Sequence, residues 1–97
     1  MHNMIIDAIE GNRRLKVNYK GGYRTLEPYC YGISTAGNDS LRAYQIDGYS
    51  NCGESTNWKF MNTKKIEDIQ LLNDNFIPNN PDYSRGDKMM KVIYKQI

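Results

Sequence analysis

Hydrophobic and polar residues alternate most clearly over residues 14–19. Leu15, Val17 and Tyr19 fall on one side, and Arg14, Lys16 and Asn18 on the other. A period of two predicts a half-buried strand. Ahead of it, Ile5, Ala8 and Ile9 recur at i, i+3 and i+4 and predict a short helix. Asn3 is placed to cap that helix and Gly11-Asn12 to end it. Gly21-Gly22 is a tight-turn signal, so the next strand should return antiparallel to the first. That strand, residues 23–34, is long enough to bend, and Pro28 marks the bend or an edge position. Residues 35–40 carry turn chemistry. Residues 41–49, 57–62 and 66–72 then read as a third, fourth and fifth strand. A polar loop (residues 50–56, with Asn51 and Gly53 suited to positive φ) separates the third from the fourth. Thr63-Lys64-Lys65 turns into the fifth.

Beyond residue 72 the pattern changes. Residues 73–81 hold four asparagines and two prolines, so 73–82 reads as an extended linker. Ser84 with Asp87 resembles a capping box. Met90, Ile93, Tyr94 and Ile97 then form an apolar stripe opposite Lys88, Lys91 and Lys95, predicting a C-terminal helix within 83–97. That helix would pack on its own barrel or on a neighbour. The fold class expected is mainly β with flanking helices. It is a small, strongly bent SH3-like or Sm-like five-stranded antiparallel barrel, with residues 1–72 holding the N-terminal helix and the five strands.

Composition narrows the function. Ninety-seven residues make one domain with a modest core, so association with copies of itself is expected. The net charge of +2 is spread over both halves, which gives little support to binding nucleic acid through bulk charge. Cys30 and Cys52 form no C-x-x-C pair and read as reduced thiols. His2 is the one histidine, which excludes a histidine-rich zinc site. The first ten residues do not resemble a signal peptide, and no apolar run reaches membrane-spanning length. A cytoplasmic protein is expected. Eight tyrosines line a small β core or supply stacking surfaces.

The candidate chemistry is recognition. On the third strand Arg42, Tyr44 and Ile46 share one face, and Leu41, Ala43 and Gln45 the other. Arg42 can hold a phosphate in fork geometry or pair with an acid. Tyr44 can stack on a base. Arg24 lies close to Glu27, open to an ion pair or to a ligand. Gln45, Tyr49 and Ser50 flank the hairpin tip, and Gln45 can read a base edge or close a strand-edge hydrogen bond. Trp58, the only tryptophan, is a stacking platform or packs on Ile66 or Ile69. Lys59 stands beside it. Lys64-Lys65 and the C-terminal lysines are solvated or extend a basic strip. Asp39, Asp47 and Glu54 are scattered over turns, and Cys52 has no histidine to activate it. Neither catalysis nor a cofactor is expected.

One family shares this order of features. An Ala-Ile helix leads into an apolar strand ending in Tyr19. Then come Arg24-x-x-Glu27-Pro28, a strand with an internal aromatic, a polar loop, Trp58-Lys59-Phe60, and Lys65-Ile66. Residues 5–72 resemble the WYL domain. Leu41-Arg42-Ala43-Tyr44 stands where the family carries its Trp-Tyr-Leu tripeptide. Trp58 stands where it usually carries an arginine, and Lys59 is the nearest basic residue. The resemblance implies an Sm-like barrel in bacterial or phage regulation or defence, sensing a nucleotide or nucleic acid, with Arg24 on the ligand surface. Lacking room for a helix-turn-helix, this chain would act as a free-standing module. It would bind a nucleotide or single-stranded nucleic acid through Arg24, Arg42, Tyr44, Gln45, Tyr49, Ser50, Trp58 and Lys59. Two alternatives stay open. One is a protein-interaction or oligomerisation domain without a small ligand. The other is a phage-type sponge that sequesters a cyclic-nucleotide signal.

Overall fold

The computed structural model describes residues 1–50 and 56–97. In chain order the elements are α1 (His2–Glu10), β1 (Arg13–Tyr19), β2 (Gly22–Ser34), β3 (Asp39–Gly48), β4 (Asn57–Asn62), a 3₁₀ turn (Thr63–Lys65), β5 (Ile66–Asn75) and β6 (Met90–Gln96). The six strands form one antiparallel sheet in the order β4-β3-β2-β1-β5, with β6 added against β2.

Local sequence explains most of this. The predicted stripe of α1 is the face it buries: Ile5, Ala8 and Ile9. The N-cap is Met1, so Asn3 lies inside the first turn. In β1, Leu15, Val17 and Tyr19 are buried as the alternation requires. Tyr19 pairs with Gly22, which leaves a two-residue turn. Its central residues, Lys20 (φ 45°) and Gly21 (φ 105°), both take positive φ, as hairpin twist demands.

β2 is the spine of the sheet. Residues 22–26 pair with β1 on one side, and residues 30–34 pair with β6 on that same side. Pro28 sits where the strand changes partners, a place where no ladder N–H is needed. The β2–β3 register shifts between Pro28 and Cys30, giving a bulge at Tyr29. The extra residue resets the alternation, so Leu26 and Tyr31 both enter the core. Around them gather Leu15, Val17, Leu41, Ala43, Met61 and the helix residues Ile5, Ala8 and Ile9. Gly32 lets β6 approach, since a Cβ there would meet the Val92 carbonyl and the Ile93 Cα.

Three expectations are corrected. The sheet is not closed into a five-stranded barrel: β4 and β5 are its two ends, joined by the 3₁₀ turn and not hydrogen-bonded to each other. The C-terminal helix is instead the strand β6. Val92-Ile93-Tyr94 is a β-branched and aromatic run, and the second half of β2 has an open edge to receive it. The linker starts later, because β5 runs on to Asn75 and Phe76 is buried. The 50–56 loop reading, with Asn51 and Gly53, and any reactivity of Cys52 lie outside the described residues.

Candidate functional site

The β3–β4 ribbon sorts its side chains by parity. Leu41 opposes Met61, and Ala43 opposes Lys59, on the inner face. On the outer face Ser40 opposes Asn62, Arg42 opposes Phe60, and Tyr44 opposes Trp58. That outer face is a short ladder of aromatic and cationic pairs. The Tyr44 and Trp58 rings meet edge to face at 5.4 Å, and the Arg42 guanidinium lies 4.4 Å from the Phe60 centroid.

Residues 82–88 fold back over this face and enclose a cleft of about 490 Å³. Its wall is aromatic. Trp58 and Tyr83 lie near parallel, with centroids 6.2 Å apart and planes at 27°. Tyr29 supports both from behind, at 5.0 Å from Trp58 and 4.8 Å from Tyr83. The bulge that reset the core alternation is what aims Tyr29 here. Tyr83 donates to the Tyr29 carbonyl at 3.4 Å. The Trp58 indole N–H is buried and has no hydrogen-bond partner.

The remaining lining is charged. Arg42 donates to Asp87 from Nε at 2.7 Å and from Nη2 at 3.4 Å. Burial works against the Asp87 carboxylate. The hydrogen bonds from Arg42 and from the Met89 N–H, with the Arg42 charge, outweigh it and hold Asp87 below its ordinary range. Arg85 and Lys88 bring positive charge to the rim, and Asp82 brings one negative charge. Arg85 is steered by donating Nε to the Ile97 carbonyl at 3.2 Å. Burial pushes the Tyr83 phenol up to about 12 and the neighbouring Cys30 thiol up to about 11, so both stay protonated at neutral pH. Such a cleft can stack a planar ring and pair with an anion attached to it.

The sequence-predicted residues divide between two places. Arg42 and Trp58 line the cleft, with Tyr44 against Trp58. The rings that Trp58 packs on are those of Tyr29, Tyr44 and Tyr83. Arg24 and Gln45 turn to the inner side and are buried, so neither belongs to the outer surface. Arg24 donates to the Tyr19 carbonyl, while Glu27 is taken by Arg14. Gln45 donates to the Tyr49 carbonyl at 2.8 Å, which holds the strand end and leaves no base edge within its role. Lys59 donates to the Ser50 hydroxyl at 3.2 Å, bridging the two sides of the hairpin tip. Tyr29, Tyr83 and Arg85 escaped the sequence reading, and Lys88 entered it only as one of the C-terminal lysines, solvated or extending a basic strip. The signal for Tyr83, Arg85 and Lys88 together was the Tyr-x-Arg-x-x-Lys spacing at 83–88, absorbed into the predicted helix.

Among the described residues no group of three or more His, Cys, Asp or Glu is placed to hold a metal ion. No helix among them is long and apolar enough to cross a membrane. No protein-family model matches the chain, and neither a curated protein nor a solved structure matches it.

Proposed function

We propose that this protein is a non-enzymatic ligand-binding module that takes a nucleotide, or a base of single-stranded nucleic acid, into the Trp58–Tyr83 cleft. The observation that carries the reading is the near-parallel Trp58 and Tyr83 pair beside Arg85 and Lys88 in one enclosure. A base stacks on the aromatic wall, and its phosphate meets the cationic rim. Arg42 holds the floor through Asp87 and keeps Nη1 for the ligand. The regulatory setting, in bacterial or phage regulation or defence, rests on the resemblance of residues 5–72 to the WYL domain.

Native mass spectrometry of the purified protein tests this directly, with a denatured control. A mass excess that disappears on denaturation and matches a nucleotide or short oligonucleotide supports the reading. For protein that purifies bare, Trp58 is the reporter, because it is the only tryptophan. Saturable quenching by added mononucleotide or oligothymidylate supports stacking in the cleft, and unchanged emission refutes it.

A second reading has its own observation. β4 and β5 end the sheet order, so each presents an outer edge that no strand among the described residues covers. Strand-edge pairing between copies would make this an oligomerisation module. A bare oligomer in the same mass spectrum favours that reading.

A further inference from the structure

The chain has five arginines, and four of them are matched. Arg14 pairs with Glu27 and Asp74, and Arg42 pairs with Asp87. Arg13 donates to Leu72 and Asn73, and Arg85 to the Ile97 carbonyl, both at exposed or half-buried positions. Arg24 differs. It is 4% exposed, and no carboxylate among the described residues pairs with it. Nε donates to the Tyr19 carbonyl at 3.1 Å. Nη1 reaches Gln45 Oε1 only at 3.5 Å, the far limit of a hydrogen bond. Nη2 is buried with no partner.

A guanidinium is always charged, and burying it with an open donor is unfavourable unless something completes it. The two rings beside it, Tyr19 at 5.1 Å and Tyr49 at 5.6 Å, share its charge but accept no in-plane hydrogen bond. Gln45 cannot supply the missing acceptor, since its amide N–H is turned to the Tyr49 carbonyl and its oxygen already faces Nη1.

We infer that Arg24 anchors an anion site, distinct from the Trp58–Tyr83 cleft, that accepts one phosphate group between the guanidinium and Tyr49. The two sites lie on opposite faces of the sheet: Arg24 shares the inner face of β2 with the core residue Leu26, whereas the cleft sits over the outer face of β3–β4. Nη1 and Nη2 form the fork that a phosphate accepts in bidentate fashion. Tyr49 is the door. Its backbone is fixed, with its N–H on the Tyr23 carbonyl and its carbonyl on Gln45. The residue is 45% exposed, and its side chain rests on Gly21 and Gly22, which present no side chains of their own. A change of rotamer uncovers Arg24 without moving a strand.

The test uses the whole protein, isotope-labelled for detection of the arginine Nε–H resonances, with inorganic phosphate titrated against chloride at constant ionic strength. The Arg24 resonance is expected to move saturably by about 50 mM phosphate, while that of Arg14, held by Glu27 and Asp74 away from the cleft, stays fixed. Arg24→Lys keeps the charge but loses the fork, and should weaken phosphate binding about tenfold or more. An Arg24 resonance indifferent to phosphate overturns the site, and this holds even where the variant fails to fold. A folded Arg24→Lys protein with unchanged affinity overturns it too. Uniform movement of every arginine would mean charge screening only and refute it equally. Because the readout is Arg24 and not Trp58, failure here is separable from failure of the outer cleft.

Discussion

Arg42 in β3 and Asp87 ahead of β6 stand 45 residues apart in sequence and meet at 2.7 Å. This contact pins the segment that forms the cleft to the ribbon beneath it. Side-chain exposures of 24% and 10% place the pair away from bulk solvent, so it is worth more than a surface ion pair. Arg42→Ala should destabilise the protein by about 1–3 kcal/mol, from the lost charged hydrogen bonds and the bare Asp87 left behind. Urea unfolding of Arg42→Ala, Asp87→Ala and the double variant should return a coupling of about 1 kcal/mol or more. Additive effects would mean the pair holds nothing together.

Acid should release the same contact. The Asp87 carboxyl titrates below its ordinary value in the folded protein, so protons prefer the unfolded chain. The stabilisation is therefore complete above the unfolded carboxylate pKa of about 3.9. It is lost as pH falls through the lower, folded-state value. Unfolding free energy measured from pH 6 to pH 2 should drop less steeply in Asp87→Asn than in the parent protein. Identical slopes would exclude Asp87 as a source of acid sensitivity.

Gly32 is where β6 depends on an absent side chain. A Cβ there meets the Val92 carbonyl and the Ile93 Cα, both backbone, so neither can swing aside. Gly32→Ala should displace β6 and destabilise by about 2–4 kcal/mol. Gly37→Ala is the control: nothing lies within 4 Å, but its φ of +87° is strained for alanine, so about 1 kcal/mol is expected. Hydrogen exchange should show the β6 amides losing protection in Gly32→Ala and keeping it in Gly37→Ala.

Where one period ran through an element, its structure was legible. Leu15, Val17 and Tyr19 at period two, and Ile5, Ala8 and Ile9 at helical spacing, are buried as read. The Gly21-Gly22 signal placed the hairpin to within a residue. The stripe through Met90, Ile93, Tyr94 and Ile97 misled because eight residues can satisfy a helical spacing by chance. The choice was made by the open edge of β2 beyond Pro28, a tertiary fact. The bulge at Tyr29 breaks parity inside one strand, so no single alternation could assign both Leu26 and Tyr31 to the core. On the side of the cleft, Arg42 was singled out from its strand face and Trp58 as the only tryptophan, and both line it. Tyr83, Arg85 and Lys88 join them only through long-range contacts, Trp58 with Tyr83 and Arg42 with Asp87, and Arg24 and Gln45 were assigned to a surface from which the sheet withdraws them.

The β1–β2 turn carries a correctable strain. Lys20 holds φ at 45°, a conformation that asparagine and glycine accept more readily than lysine. Its contact with the Tyr19 ring, at 5.5 Å, offsets little of this at an exposed position. Lys20→Asn should therefore stabilise by about 0.5 kcal/mol and raise Tm by about 2–4 °C. A lower Tm would mean that the ring contact outweighs the backbone preference.

Trp58 and Lys88 should separate the two parts of ligand recognition in the outer cleft. Stacking of a base on an aromatic side chain is worth about 1–3 kcal/mol. Trp58→Leu should thus weaken binding of a labelled oligothymidylate by about 5- to 150-fold, and Trp58→Phe by much less, because a smaller ring still stacks. Lys88 makes no ion pair among the described residues and lines the rim. Its loss should act through charge: Lys88→Ala should weaken binding and reduce the slope of log affinity against log salt by about one. Trp58→Leu should leave that slope unchanged. Anisotropy titrations at several salt concentrations read both quantities. A Trp58→Leu protein that stays folded by circular dichroism and binds as tightly as its parent would remove stacking from the mechanism. A Lys88→Ala protein with an unaltered slope would take the phosphate away from that rim.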